Sequence, residues 1–74
     1  MKISVELFGQ LALPSPRRQS LDLAEGATVQ EAASILGLNA EEIGLITING
    51  VQSEMHDHLI SDCRLCFFPY ISGG

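Results

Sequence analysis

The chain is short of positive charge. Four lysine and arginine side chains stand against nine aspartates and glutamates in 74 residues, a net charge of −5. Nucleic acids and anionic membranes select the opposite balance, so neither is expected as a partner, and a basic partner surface is favoured. The one basic pair, Arg17-Arg18, is too small for a nucleic-acid footprint and reads as a solvated loop or strand end. Glu41-Glu42 and Glu54 read as solvated charges too. No apolar run approaches the roughly 20 residues of a membrane-spanning helix. Met1-Lys2 leads into a strand pattern, not the apolar core of a signal peptide, so a cytoplasmic location is expected. Also missing are a Ser/His/Asp set, a carboxylate pair and a phosphate-binding loop. A chain this small has no room for a catalytic cleft beside its core, and one core of this size contributes only about a few kcal/mol. It is therefore expected to catalyse nothing alone and to work with a partner.

Cysteine is scarce. Cys63 and Cys66 form a C-x-x-C, with His56 and His58 just upstream. A redox pair needs its first cysteine at a helix N-terminus that lowers the thiol pKa, whereas this pair runs from a turn into a strand. Zinc needs four converging ligands, and a lone C-x-x-C beside two histidines flanking an acidic residue is weak next to zinc-finger spacings. No metal is expected. Cys66 reads as a small apolar strand residue and Cys63 as a turn residue.

What is present is periodicity. Ile3, Val5 and Leu7 alternate with polar residues as in a half-buried strand, and 19–23 alternate again after a loop from Gly9 to Pro16. Thr28 and Glu31 have capping-box spacing, in which each side chain satisfies a backbone donor of a helix's first turn. Val29, Ala32, Ala33 and Leu36 then make one apolar stripe, and Gly37 is where the helix should stop. Asn39 is placed to cap a short helical turn over 40–42. Leu45 to Ile48 reads as a strand leading into Asn49-Gly50, the dipeptide of a type I′ hairpin turn. Arg64 to Pro69 reads as the last strand, ended by a proline that cannot donate to a ladder. The expectation is a single α+β domain over residues 1–74, order β-β-α-β-β, with four to five mixed strands on one main helix and a flexible tail at 70–74.

The last residues are the most specific. Phe67-Phe68-Pro69-Tyr70-Ile71-Ser72-Gly73-Gly74 resembles the F-F-P-P-V-(S/T)-G-G ending of the MoaD side of the MoaD/ThiS family of ubiquitin-like sulfur carriers. Lys2 to Gln10 is similar to that family's opening strand, Gly26-Ala27-Thr28-Val29 to its turn into the helix, and Thr47-Ile48-Asn49-Gly50 to its hairpin. The resemblance implies the β-grasp fold. It also implies that the Gly74 carboxylate is adenylated by a Rossmann-like activating enzyme, which uses ATP, and is then converted to a thiocarboxylate by a sulfur donor protein. In molybdopterin synthesis the tail would insert into a molybdopterin synthase large subunit and pass that sulfur to a pterin precursor. The chain itself would bind no cofactor. Gly73 would keep the tail thin, since glycine has no Cβ. In this reading Gly74 and Gly73 carry the chemistry, and Phe8, Phe68, Pro69, Tyr70, Ile71 and Ser72 meet the partner. A thiamine-type carrier, a protein modifier joined to lysine through Gly74, and an inert interaction module stay open. The resemblance weakens at Asp62-Cys63-Arg64, where the family has D-G-D. If the glycine position there needs positive φ, Cys63 is strained or the turn differs.

Phe8 is out of phase with Ile3, Val5 and Leu7, and Leu65 and Phe67 alternate with Cys66 and Phe68, so the two faces of the last strand cannot both face the core; the resemblance implies that Phe67 points inward and Phe68 outward. The resemblance makes the first and last strands neighbours. One exposed aromatic patch, an interface, is then expected.

Overall fold

Ile3, Val5 and Leu7 all project to one side of the first strand, β1 (Lys2–Leu7), and all are buried. The computed structural model describes residues 1–13 and 16–70. In chain order β1 is followed by β2 (Arg18–Asp22), helix α1 (Val29–Leu36), β3 (Ile43–Ile48), β4 (Val51–Ser53) and β5 (Arg64–Pro69). The five strands form one mixed sheet in the order β2-β1-β5-β3-β4. Only β1 and β5 run parallel, with Val5 beside Leu65 and Leu7 beside Phe67; the other pairs are antiparallel. Helix α1 supplies Val29, Ala32 and Ala33 to the core formed with Ile3, Val5, Leu7, Leu65 and Phe67. This is the α+β arrangement of one helix on one sheet that the sequence pattern predicts, and β4 makes the fifth strand.

The helix shows how the chain accounts for its own backbone. The first four N–H groups of an α-helix have no partner within it. Here the Val29 N–H donates to Asp57 O at 3.0 Å and the Gln30 N–H to Met55 O at 2.8 Å. The Glu31 N–H donates to Thr28 Oγ1 at 3.3 Å, and the Ala32 N–H reaches Thr28 O. The loop after β4 thus takes two donors and the expected cap takes a third. Glu31 does not reach back to the backbone; its carboxylate accepts from the Thr28 hydroxyl, so only half of the predicted capping box forms. Gly37 ends the helix in the left-handed region (φ 73°), and Leu38 N–H closes on Ala33 O.

Several expectations need correction. The short turn at 40–42 is a 3-10 helix, but Asn39 makes no side-chain cap to it. The segment after β1 is not all loop: Gly9–Ala12 is a 3-10 helix that buries Leu11. Strand β3 starts at Ile43, not Leu45, with a bulge between those residues. The bulge turns both Ile43 and Ile46 into the core, although they are three apart. Asn49 (φ 52°) and Gly50 (φ 83°) form the expected hairpin turn. In the turn before β5 the left-handed residue is Asp62 (φ 64°), and Cys63 is not among the residues with positive φ. Cys63 is a core residue, 1% exposed. The strain has moved one position back, onto a residue type that tolerates αL better than most.

Two substitutions separate these assignments. Asp62→Gly relieves a left-handed backbone but loosens the unfolded chain, and should shift stability by less than about 1 kcal/mol. Cys63→Gly empties a core position and should cost on the order of 2 kcal/mol. Urea unfolding midpoints give both values, and a Cys63→Gly chain as stable as wild type would put the turn back where the sequence pattern placed it.

Candidate interaction face and tail base

The sheet face away from the helix carries residues 2, 4 and 6 of β1, Arg18, Ser20 and Asp22 of β2, and Arg64, Cys66 and Phe68 of β5, by alternation and register. Glu6 sits near its centre and is only 6% exposed. A carboxylate so covered needs partners, and three arginines supply them. Arg64 Nη2 donates to Glu6 Oε1 at 2.7 Å. The Nε atoms of Arg18 and Arg17 lie 3.5 and 3.6 Å from Oε2. The Arg64 bond is the main reason the Glu6 carboxyl is held below its ordinary value of 4.5, with the Arg18 charge assisting against the cost of burial. The Arg64 guanidinium is in turn held charged more firmly, chiefly by the same bond.

Next to this cluster the Phe8 and Phe68 rings stack with centroids 4.4 Å apart and planes 12° from parallel. The Arg17 guanidinium lies over Phe8, 5.0 Å from its centroid. Stacking and cation–π contact each add about 0.5–1 kcal/mol and, more to the point, fix the two rings and the arginine in one arrangement. A shallow groove of about 540 Å³ lies along Ser4, Glu6, Arg18, Gln19, Ser20 and Arg64. A second, more apolar one of about 300 Å³ runs over Gly44, Leu45, Phe68, Pro69 and Tyr70. Polar cluster, aromatic stack and apolar groove are therefore continuous and lead to the end of β5. There Pro69 is half-buried, and Tyr70 is 61% exposed while its N–H donates to Glu42 O at 3.3 Å.

The charge of this face reverses that of the chain. Arg17, Arg18, Arg64 and, by alternation, Lys2 are all four of the basic residues, and they share the face with two carboxylates, Glu6 and Asp22. The other seven of the nine acidic residues lie on the helix, the 3-10 segment and the loops. The expectation of a basic partner surface, read from net charge, is thus corrected at this face: it suits an acidic one. Nor is Arg17-Arg18 a merely solvated pair, since both side chains are turned onto Glu6.

Of the predicted site residues, the structure brings Phe8 and Phe68 together and places Pro69 and Tyr70 beside them. Ile71, Ser72, Gly73 and Gly74 lie outside the described residues. The C-x-x-C does not act as a unit: Cys63 faces the core, while Cys66 lies in β5 between the core residues Leu65 and Phe67 and so on the opposite face, and both are free and buried. The His58 ring Nδ1 is engaged with Gly26 O at 2.7 Å. Glu54, His56 and Asp57 bring ligand-type atoms within 4.8 Å of one another. However, Asp57 Oδ2 already accepts from the Ser53 hydroxyl (2.7 Å) and the Glu54 N–H (3.0 Å), which makes it a turn lock. Those bonds, the Ser53 one first, hold its carboxyl below 3.8. Glu6, Arg64 and Leu45 were not singled out from sequence. The one available signal was Glu6 on the polar face of a strand whose neighbour was inferred to be the last strand.

The Glu6 cluster yields a pH test. Its folded pKa is depressed relative to the unfolded chain, so its contribution to stability is complete above 4.5 and is lost as pH falls through the lower folded value. Glu6→Gln should lower the unfolding midpoint at neutral pH, and the gap from wild type should close as pH drops below 4.5. A gap of constant size across that range, in urea titrations at a series of pH values, would show that the carboxylate charge contributes nothing.

Solved structures resemble this one along its whole length. SAMP1 from Haloferax volcanii superposes with a TM-score of 0.81 at 24% identity, with 100% of both chains covered. A protein described as molybdopterin converting factor subunit 1, from Pyrococcus furiosus, gives 0.79 at 20% identity over 96% of this chain and 99% of its own. In the complex of subunits 1 and 2 of the molybdopterin-converting factor from Helicobacter pylori 26695, the matching chain gives 0.68 at 16% identity over 100% of both. No described protein family matches the sequence, and neither does any individually curated protein. At these identities the likeness establishes architecture. The chain has the ubiquitin-like β-grasp fold.

Proposed function

We propose that the chain is a sulfur carrier of the MoaD/ThiS kind, acting as the non-catalytic small subunit of a molybdopterin synthase. The observation that carries this reading is the course of β5. One strand puts Phe67 in the core, Phe68 in the aromatic stack and Pro69-Tyr70 at the rim of an apolar groove, and its sequence continues to Gly73-Gly74. The fold likeness to a converting-factor subunit 1, and to a complex of subunits 1 and 2, supports a larger subunit as the eventual partner. The F-F-P before the tail favours this carrier over a thiamine-type one.

The chemistry follows from the carboxylate. With an α-carboxyl pKa of about 3.3–3.7 it is ionised and a poor electrophile in the cell. A carboxylate oxygen of Gly74 attacks the α-phosphorus of ATP in a Rossmann-like activating enzyme, and pyrophosphate leaves. The terminal sulfur of a donor persulfide attacks the carbonyl carbon and AMP leaves. A thiol then reduces the acyl disulfide, freeing the thiocarboxylate. The product sulfur is anionic and nucleophilic, so it can attack an electrophilic carbon of a pterin precursor. A second reading, favoured by the likeness to SAMP1, described elsewhere as a small archaeal modifier protein, is conjugation of Gly74 to a lysine amine. Both uses begin with the same acyl-adenylate.

Intact-mass spectrometry tests the carrier reading, and a search for lysine-linked conjugates in cells decides between carrier and modifier. With ATP, a MoaD/ThiS-type activating enzyme and a sulfur donor, the full chain should gain the mass difference between sulfur and oxygen, and a chain lacking Gly74 should not. Folding should survive the deletion, since Gly74 lies beyond β5. Sulfur appearing on Cys63 or Cys66 would refute the carrier reading, and lysine-linked conjugates in cells would favour the modifier.

The arginine face adds a kinetic expectation. If the activating enzyme meets it with an acidic surface, the double substitution R17E/R18E should slow association about tenfold, and wild-type association should slow as salt rises. Stopped-flow rates faster in the charge-reversed chain would assign docking to the acidic side of the molecule.

A further inference from the structure

Gly44 owes nothing to backbone freedom, because its φ is outside the positive region that holds Gly9, Gly26, Gly37 and Gly50. Its reason is proximity. A Cβ built on Gly44 would lie 2.9 Å from Pro69 O and 3.0 Å from both Cα and N of Tyr70, all main-chain atoms that cannot rotate away. On the other flank of β5, a Cβ on Gly9 would lie 2.8 Å from Pro69 Cγ. The strand order makes these contacts a pair: β1 and β3 border β5 on its two sides, Gly9 follows β1 and Gly44 lies in the bulge of β3. The bulge by itself would accept a side chain; only the close approach of 69–70 forbids one.

We propose that Gly9 and Gly44 form a backbone slot that fixes the position and direction in which the chain leaves the sheet at Tyr70, and that they are positioning residues for acyl transfer at Gly74. The second part rests on the carrier reading above. Tyr70 is held by main-chain contact to β3 and by its N–H bond to Glu42 O. Gly74 is four residues further on, so its carboxylate can lie at most roughly 14 Å from that root. For adenylation an oxygen of that carboxylate must reach the α-phosphorus of ATP in line with the departing pyrophosphate. The new O–P bond replaces the P–O bond to pyrophosphate, which leaves with the electron pair, and nothing is oxidised or reduced. On so short a tether an error at the root is carried to the end, and a displacement of about 1 Å from productive geometry can cost about 100-fold in rate.

The test is Gly44→Ala in the full chain, with ATP and the MoaD/ThiS-type activating enzyme of the same organism, followed by pyrophosphate release. Because the Phe8/Phe68 stack and the arginines are untouched, KM for the carrier should stay at the wild-type value while kcat falls about 100-fold. Amide exchange at Tyr70 should accelerate as its bond to Glu42 is lost. Ile46→Val, which loosens the same strand without touching 69–70, should lower the melting temperature and leave kcat unchanged. Should Gly44→Ala not fold, Pro69→Ala, which widens the slot on the Gly9 side, should lower kcat and accelerate amide exchange at Tyr70. Wild-type kcat in the slot variant, unchanged exchange at Tyr70, or an equal loss of kcat in Ile46→Val would each overturn the proposal. If the wild-type chain is not adenylated at all, the carrier reading falls, and Tyr70 exchange alone decides the slot: faster exchange in Gly44→Ala supports it and unchanged exchange overturns it.

Discussion

The parallel pairing of β1 with β5 is the constraint on which the rest of the structure depends. It joins segments about sixty residues apart in sequence, and its register determines three things at once. On the inner face it sets Val5 beside Leu65 and Leu7 beside Phe67, four of the least exposed residues of the core. On the outer face it brings Glu6 within 2.7 Å of Arg64 and stacks Phe8 on Phe68. At its end the Phe8 N–H donates to Phe67 O, which brings Gly9 against Pro69. A slip of one residue would exchange the faces. The core would then receive Glu6 from β1 or Arg64 from β5, each separated from its partner, and the cost of burying an unpaired charge makes the register unambiguous.

Charge is organised by the same pairing. Net charge describes how a protein behaves at long range, whereas docking is decided by the few side chains within a Debye length of the contact, about 8–10 Å in ordinary salt. Glu6 serves two roles here. It lies across the centre of a cationic face, which lets Arg17, Arg18 and Arg64 sit together without mutual repulsion dispersing them. It also neutralises only part of their charge, so the face remains positive on an otherwise negative molecule. If an acidic surface docks at this face, the acidic helix and loops would repel it from other approaches and so select orientation before contact.

The parts legible in sequence were those governed by local rules. Alternation in β1, the stripe of α1, the left-handed stop at Gly37 and the hairpin turn at Asn49-Gly50 each depend on residues within a few positions of one another, and each was found where expected. What was not legible depends on contacts remote in the chain. Glu6 looks like any polar residue on a strand's outer face until Arg64 is placed beside it. Leu11 and Leu59 sit in segments with turn chemistry, and only the third dimension shows that they plug the core. Ile43 and Ile46 break strand periodicity because a bulge intervenes, and Gly44 has no local signature at all. The turn before β5 has a different shape from the family's D-G-D, with the positive φ on Asp62 and not on Cys63, which the resemblance alone does not show. At the site the same division holds: Phe8 is legible from its phase and Phe68 from the resemblance, but the arginines that flank them are not, and the tail from Ile71 to Gly74 is a matter of sequence alone.

On the carrier reading, a rigid root for the tail would serve one purpose. A flexible segment that must be ordered in a partner's cleft costs about 1–2 kcal/mol of backbone entropy per residue, and glycine, the thinnest residue, costs the most. That penalty can be limited in two ways, by keeping the flexible segment short and by fixing where it begins. The apolar groove along Leu45, Phe68 and Tyr70 ends where β5 ends, and Gly44 leaves the main chain there no room to shift toward β3. The face from Glu6 to Phe68, which would set affinity on the proposed reading, is held by a 2.7 Å ion pair and a stacked ring pair. On the carrier reading proposed above, docking and reach would be separable properties of neighbouring residues on one strand: β5 would contribute Arg64 and Phe68 to docking, and Pro69 and Tyr70 to reach.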